Sequence, residues 1–353
     1  MTKQMEASVL VAPGVLEYKK VGIPEIGAND VLIKVAYAGI CGSDVPRANL
    51  ENGARMYPII LGHEFSGTVD KVGSNVTKLK TGDKVAVAPL IPDPNSEYTK
   101  EGYYGLSDNY NIIGTGSNGA FSEYVVVPEE HAVVMPEELD LLSAAGVEPA
   151  TISWHALRRA QIEVGDTVAV LGCGPIGQFA IQIAKIFGAK TVIAVDIFDD
   201  KLSLAKELGA DIAINSKEVD LEQAIKELTG LGVDVVIETA GSKITQKQSL
   251  LITRKHGRIV FVGISHQDLP LSEAEAERIM RAELTVTGSW NSYTAPYPGR
   301  AWEATLDEMS KGRIKFKEMI SHEISLEELP EILPKMFKRE LNYNKIVVAV
   351  HPE

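Results

Sequence analysis

The sequence predicts an α/β protein in two parts, a compact, partly closed β domain and a doubly wound parallel sheet. Three observations predict it. The chain has 353 residues, more than one typical hydrophobic core accommodates. Up to about Ala150, short β-type runs at 31–35, 85–87 and 123–127 alternate with Gly and Pro and little helical pattern, the rhythm of a compact β domain. From Asp166 onward, short apolar runs alternate with helical stretches, as in a parallel sheet covered on both faces.

In the second part the strands are expected at 167–171, 191–195, 212–214, 233–238, 258–262 and 284–287. The helices between them are expected at 176–187, 201–208, 221–228, 244–253 and 273–282. Six strands linked by helices are the pattern of a doubly wound sheet. After Trp290 come two short helical patterns and the run 345–350, which suits a strand rejoining the first domain. The expected division is therefore 1–152 with 290–353, and 153–289.

Composition narrows the function classes. The chain is 45% hydrophobic and 24% charged, as an ordinary globular protein is. A net charge of −13, with its acids dispersed, argues against nucleic acid or an anionic membrane as the main partner. An anionic small molecule is still compatible where a few basic side chains converge. The stretch Met1 to Glu6 has no apolar signal core, and no apolar run reaches membrane-span length. The two cysteines, Cys41 and Cys173, each sit inside a motif, so a reducing cytoplasm is expected.

The motif Gly172-x-Gly174-Pro175-Ile176-Gly177 follows an expected strand and opens an expected helix, and Asp196 ends the next strand 19 residues after Gly177. In a dinucleotide cradle the first glycine makes the tight turn, the second admits the pyrophosphate, and the third lets the helix pack closely. The phosphates then meet helix N-terminal amides. Asp196 would accept from the ribose hydroxyls and repel a 2′-phosphate, so NAD is expected over NADP. The alternative is a packing turn, with Asp196 capping the next helix. Cys173 reads as a small buried residue.

Cys41, His63, Glu64 and Glu148 are candidate metal ligands. Thiolate, imidazole and carboxylate suit zinc, and three protein ligands with one open position define a catalytic site. Glu148, at the end of the first domain, would bring the metal to the cleft beside the cofactor. Singly, each residue has a plainer reading: a buried Cys, a turn His, two solvated acids.

Gly39-Ile40-Cys41-Gly42-Ser43-Asp44, Gly62-His63-Glu64-Phe65-Ser66-Gly67, Val72-Gly73, Gly82-Asp83-Lys84-Val85 and Glu148-Pro149 resemble the zinc-containing medium-chain dehydrogenases, essentially end to end. The resemblance implies a GroES-like catalytic domain and a Rossmann coenzyme domain. Glu148, where other branches have a cysteine, is similar to the polyol (sorbitol-type) branch. The segments 57–67, 263–269 and 283–290 resemble dehydrogenases of sugar-alcohol phosphates. By position, the resemblance implies Cys41, His63 and Glu148 as ligands of a catalytic zinc, with Glu64 as a neighbouring carboxylate that binds directly or through water. Ser43 matches a hydroxyl near the substrate oxygen, while Thr239 and Val262-Gly263-Ile264 match cofactor loops. It also implies a homodimer or homotetramer in which the strand at 284–287 pairs with its twin.

Two departures stand out. Where relatives bind a structural zinc through four cysteines, this chain has Asp93, Ser96, Thr99 and Ser107, poor substitutes for thiolates. One catalytic zinc and no structural zinc are therefore expected, with the loop 92–111 held by packing and hydrogen bonds. Pro46 stands where some relatives carry a relay histidine, so proton release is expected through water or Ser43.

The expected reaction is NAD-linked oxidation of a secondary alcohol of a polyol or polyol phosphate, hexitol or pentitol, to the ketose, with the metal polarising the alcohol. Arg47 and Arg55, between Cys41 and His63, are candidates to bind a phosphate or are solvated surface arginines. Tyr57, Trp290 and Tyr293 are candidates to shape the pocket or are packing residues. A free-polyol dehydrogenase, a zinc-free enone or quinone reductase, and a non-enzymatic NAD-binding protein are the alternatives.

Overall fold

The computed structural model describes residues 3–353. Met1 and Thr2, part of the N-terminal stretch read above, lie outside the described residues. The chain divides into two compact units. One runs through Glu148 and takes in Tyr293–Gly312 and Phe316–Glu353; the other is Pro149–Ser292 with Arg313–Lys315.

In the first unit, strand Asp30–Gly39 is central. It pairs antiparallel with Glu64–Val72, Tyr124–Pro128 and Lys345–Ala349. It can serve several partners because register shifts between Leu32 and Ile33 and between Val35 and Tyr37 bend the pairing with Glu64–Val72. A three-stranded sheet of Val15–Gly22, Gln4–Ala12 and Ile59–Ile60 lies beside it. Their inward residues, among them Leu10, Ile33 and Phe65, form one buried apolar cluster together with Phe121 from the loop before Tyr124–Pro128. The last strand, Lys345–Ala349, carries a lysine at its head into this interior.

The second unit holds a six-stranded parallel sheet. Its order is Ile212–Asn215, Thr191–Asp196, Thr167–Leu171, Val233–Glu238, Thr253–Phe261, Thr285–Gly288. The order reverses direction at Thr167–Leu171, the switch point at which open α/β sheets bind ligands. The central strands are apolar and β-branched because helices cover both faces; Val168, Ala169, Val170 and Leu171 are all fully buried.

One boundary departs from expectation. Helix Lys243–Ile252 passes directly into strand Thr253–Phe261, which was expected to begin at 258. Thr253 already pairs with Val233, and the register then slips so that Arg258 pairs with Val235. His256, at φ 62°, and Gly257 occupy the bulge, which interrupts the apolar pattern that marks a strand.

Among the described residues, no helix is long and apolar enough to cross a membrane.

Candidate functional site

Cys41 leaves the end of strand Asp30–Gly39, and His63 and Glu64 stand at the start of the strand paired with it, where Gly39 lies opposite Glu64. The pairing draws together residues 22 positions apart. Ligand atoms of Cys41, His63 and Glu64 all lie within 4.8 Å of one another, and this is the one such cluster among the described residues. The structure thus brings three of the four candidate ligands into that cluster. Glu148, in the first turn of helix Val147–Arg159, is buried nearby. Burial pushes its carboxyl up to about 7, with His63 working against the rise and Glu64 adding to it.

Two residues that sequence reasoning did not assign organise the cluster. Asp44 is fully buried. Its Oδ2 accepts from the Cys41 amide at 3.0 Å, and its Oδ1 faces His63 Nδ1 at 3.5 Å. His63 Nδ1 is thereby turned to a carboxylate, which leaves Nε2 as the ring nitrogen that could hold a metal. Burial would raise the Asp44 carboxyl, but His63, Arg47 and the Cys41 amide outweigh it and hold it low. The second residue is Lys345, whose ammonium is buried. It donates to the Ile40 carbonyl at 2.9 Å and to Glu64 Oε2. Gly39 permits this pair: a Cβ there would lie 2.5 Å from Glu64 Oε2. The available sequence signals were an acid three residues after Cys41 and a lone lysine opening an otherwise apolar strand.

Ser43 donates to Cys41 Sγ from both its amide, at 3.5 Å, and its hydroxyl, at 3.3 Å. Both donors are directed at the sulfur, which orients it within the cluster. Arg47 Nη1 donates to the Ser43 hydroxyl at 3.2 Å and lies 3.4 Å from Asp44 Oδ1, which sets its guanidinium against the cluster. Arg55 instead donates to the Tyr110 carbonyl at 3.4 Å and is solvent-exposed. Tyr57 packs against the first unit's core, with its hydroxyl buried and without a hydrogen-bond partner. Trp290 belongs to the second unit and is 47% exposed. Tyr293 belongs to the first unit and is 3% exposed. Burial, then the Glu148 carboxylate, holds the Tyr293 phenol well above the usual range, so it is protonated.

The loop 92–111 is tied by its own polar groups. The Asp93 amide donates to Ser107 Oγ at 2.8 Å, while Ser96 Oγ donates to Asp108 Oδ2 and accepts from the Asp108 amide, both at 3.0 Å.

In the second unit, Gly172 has φ 94° at the strand end, and helix Pro175–Ile186 begins with proline after Gly174. A Cβ on Gly177 would sit 1.9 Å from the Gly172 carbonyl, whereas nothing lies within 4 Å of one on Gly174. The first and third glycines are therefore packed and the second faces open space, as a phosphate cradle requires. Ile176 receives a hydrogen bond from Ser153 Oγ to its carbonyl, at 2.7 Å. Thr239 Oγ1 donates to the Gly172 carbonyl at 2.7 Å, and the amides of Val262 and Gly263 donate to the Glu238 carbonyl. Ile264 follows with its side chain exposed. Asp196 ends its strand. Its Oδ2 accepts from the Cys173 amide at 2.6 Å and its Oδ1 from the Ile197 amide at 2.7 Å. Cys173 is fully buried, and burial followed by the Asp196 charge pushes its thiol up to about 12, so it is not a nucleophile.

A GroES-like β domain with a Cys–His–Glu cluster, together with a six-stranded Rossmann sheet bearing an open glycine turn, defines a zinc-type, nicotinamide-dependent oxidoreductase. Comparison agrees: residues 27–137 match the alcohol dehydrogenase GroES-like domain, and residues 175–311 match the zinc-binding dehydrogenase family. The chain belongs to the zinc-dependent medium-chain dehydrogenases, in their polyol branch. It is 39% identical over 325 residues to galactitol 1-phosphate 5-dehydrogenase of Escherichia coli (strain K12), covering 92% of this chain and 94% of that one. It is 36% identical over 360 residues to D-arabitol-phosphate dehydrogenase of Enterococcus avium, covering 100% and 99%. The crystal structure of galactitol-1-phosphate dehydrogenase from Escherichia coli superposes with a TM-score of 0.92, at 36% identity over 98% of this chain and 100% of that one. A zinc-binding dehydrogenase from Sinorhizobium meliloti 1021, solved with NADP, also gives 0.92, at 33% identity over 99% and 100%.

Proposed function

We propose that the chain catalyses reversible, NAD-linked oxidation of a secondary alcohol of a hexitol or pentitol phosphate to the ketose phosphate. The observation that carries the reading is the Cys41–His63–Glu64 cluster with Arg47 anchored against it. Cys41, His63 and Glu148 are the proposed zinc ligands, and Glu64 is the adjoining carboxylate, steadied by Lys345. When bound, zinc supplies Lewis acidity that favours the ionised alcohol, and the nicotinamide accepts the hydride. Ser43 and Asp44 orient the thiolate and imidazole. Arg47 offers the remaining guanidinium donors to a phosphate. Pro46 carries no proton, so the proton leaves through water or by way of Ser43. Tyr57 and Tyr293, both of the first unit, are proposed to line the pocket. The strand Thr285–Gly288 is at the end of its sheet, which supports pairing with a second copy in a homodimer or larger assembly.

NAD is proposed over NADP because Asp196 would face the ribose with a negative charge. Asp196→Ser is expected to lower the NAD-to-NADP ratio of kcat/KM by about 10–100-fold, the worth of one charge-assisted hydrogen bond. An unchanged ratio would count against the ribose role.

The activity test is NADH production with zinc-loaded protein on matched free polyols and polyol phosphates, with and without chelator. Chelator-sensitive turnover confined to the phosphates is the expected result. The free-polyol reading is favoured by one observation: Arg47 already faces Asp44, which offsets part of its charge. Equal or faster turnover of free polyols would establish that reading instead, and chelator-insensitive reduction of an enone would overturn both.

A further inference from the structure

Glu238 is a fully buried acid that ends strand Val233–Glu238, directly after the buried apolar run Val235, Val236 and Ile237. Burying a carboxylate is costly unless its oxygens are answered, so an apolar residue would serve a plain strand end better. Its place in the sheet supplies a reason. Glu238 pairs with Leu171 on one side and with Phe261 on the other. Leu171 ends the strand at which the sheet order reverses, the place where open α/β sheets bind ligands. These three strand ends lead into the glycine turn, the loop 239–242 and the loop 262–264.

The Glu238 side chain organises the loop that follows it. Its Oε1 accepts from the Gly241 amide at 2.9 Å and from the Thr245 hydroxyl at 2.7 Å. Thr245 lies in the first turn of helix Lys243–Ile252, whose N-terminal dipole also favours an anion there. Burial pushes the carboxyl up, while Thr245 and the amides of Gly241, Ala240 and Ser242 work against the rise. The loop fixed in this way touches both of its neighbours. A Cβ on Gly172 would lie 2.8 Å from the Ala240 nitrogen, and one on Gly263 would lie 2.1 Å from the Gly241 nitrogen. Glycine at both crossings lets backbone lie on backbone. The Glu238 carbonyl completes the tie by accepting from the amides of Val262 and Gly263 at 2.9 and 3.0 Å.

We propose that Glu238 is a positioning residue for the nicotinamide cofactor: its Oε1 fixes the loop 239–242 and, through that loop, the glycine turn and the loop 262–264 in the arrangement that receives the cofactor. The inference rests on the reading of these three loops as the cofactor site, and on no reading of the alcohol. Being fully buried, Glu238 acts only through this backbone. What the loop uses is an acceptor oxygen at Oε1, which answers the Gly241 amide and the Thr245 hydroxyl together.

The test titrates NADH into zinc-loaded wild type, Glu238→Leu, Glu238→Gln and Thr245→Val by calorimetry, with no alcohol present, so the result does not depend on which alcohol is oxidised. Glu238→Leu leaves two donors without their acceptor, and Kd is expected to rise about ten- to a hundredfold, the effect of losing a hydrogen bond to a charged group. Glu238→Gln keeps an oxygen for both donors and is expected to stay within about fivefold of wild type. Thr245→Val removes one donor and is expected to raise Kd about three- to tenfold; it decides the matter should Glu238→Leu fail to fold. An unchanged Kd in Thr245→Val and Glu238→Leu, or a glutamine variant as weak as the leucine one, would overturn the proposal. Hydrogen exchange read by mass spectrometry is the second measurement. Peptides spanning 239–242 and 262–264 are expected to exchange faster in Glu238→Leu, while the strands of the parallel sheet keep their protection. Unchanged exchange would overturn the positioning itself. Faster exchange with an unchanged Kd would overturn the proposal through the cofactor-site reading beneath it.

Discussion

Cys41→Ser is expected to abolish the bound catalytic zinc and lower kcat/KM about a thousandfold or more, with the fold retained. The oxygen is smaller than sulfur and far less readily ionised, so the cluster loses its one soft, anionic donor. The Lewis acidity that disappears with the metal is worth several kcal/mol at the transition state, and each factor of ten in rate is about 1.4 kcal/mol. The two Ser43 donors that converge on Cys41 Sγ would remain without the sulfur they orient. Elemental analysis checks the first half: about one zinc per wild-type chain, matching one proposed site, and almost none in the variant. Far-UV circular dichroism checks the fold. A metal-free variant with full activity would overturn the ligand assignment. A wild-type content near two, with the second ion in the loop 92–111, would overturn the proposal that hydrogen bonds alone hold that loop.

Lys345→Met is expected to destabilise the enzyme by about 3–5 kcal/mol, because it leaves the Glu64 carboxylate buried without its cation. The pair lies in the interior of the first unit, with Lys345 3% and Glu64 2% exposed on their side chains. Burial alone would depress the Lys345 ammonium; Glu64 and then Cys41 more than offset this and hold its pKa up. Adding Glu64→Gln should restore most of the loss, since a neutral amide needs no buried countercharge. Urea unfolding of the two single variants and the double variant measures the coupling. A loss below about 1 kcal/mol, or a double variant as unstable as the two single losses combined, would show that the pair is not coupled as the contact implies.

These two experiments fall on opposite sides of what could be read from the chain. Cys41 stands within a local motif whose residue types suit a metal. The doubly wound sheet was equally legible, because covered parallel strands must be apolar runs and their crossover helices must follow in order. The glycine turn was legible because only certain positions near a strand end tolerate the close approach and positive φ seen at Gly177 and Gly172. The bulge at His256 and Gly257 was not legible, since pairing with Val233 carries the strand back to Thr253 across residues that break the apolar pattern.

The partners that orient the cluster were beyond local reading for a different reason. Lys345 meets Glu64 across 281 positions. No periodicity or spacing encodes such a contact. The two-part α/β class, the glycine turn and the residue types of a metal cluster follow from the chain's local chemistry, because each is set by backbone sterics or by short-range interactions. Folding in three dimensions sets which buried charges face one another, that Arg47 turns to Ser43 and Asp44 while Arg55 turns to Tyr110, and that Glu64 is held by a lysine from the last strand. Buried polar groups must find partners wherever the chain brings them, and strand pairing across distant segments determines which partners those are.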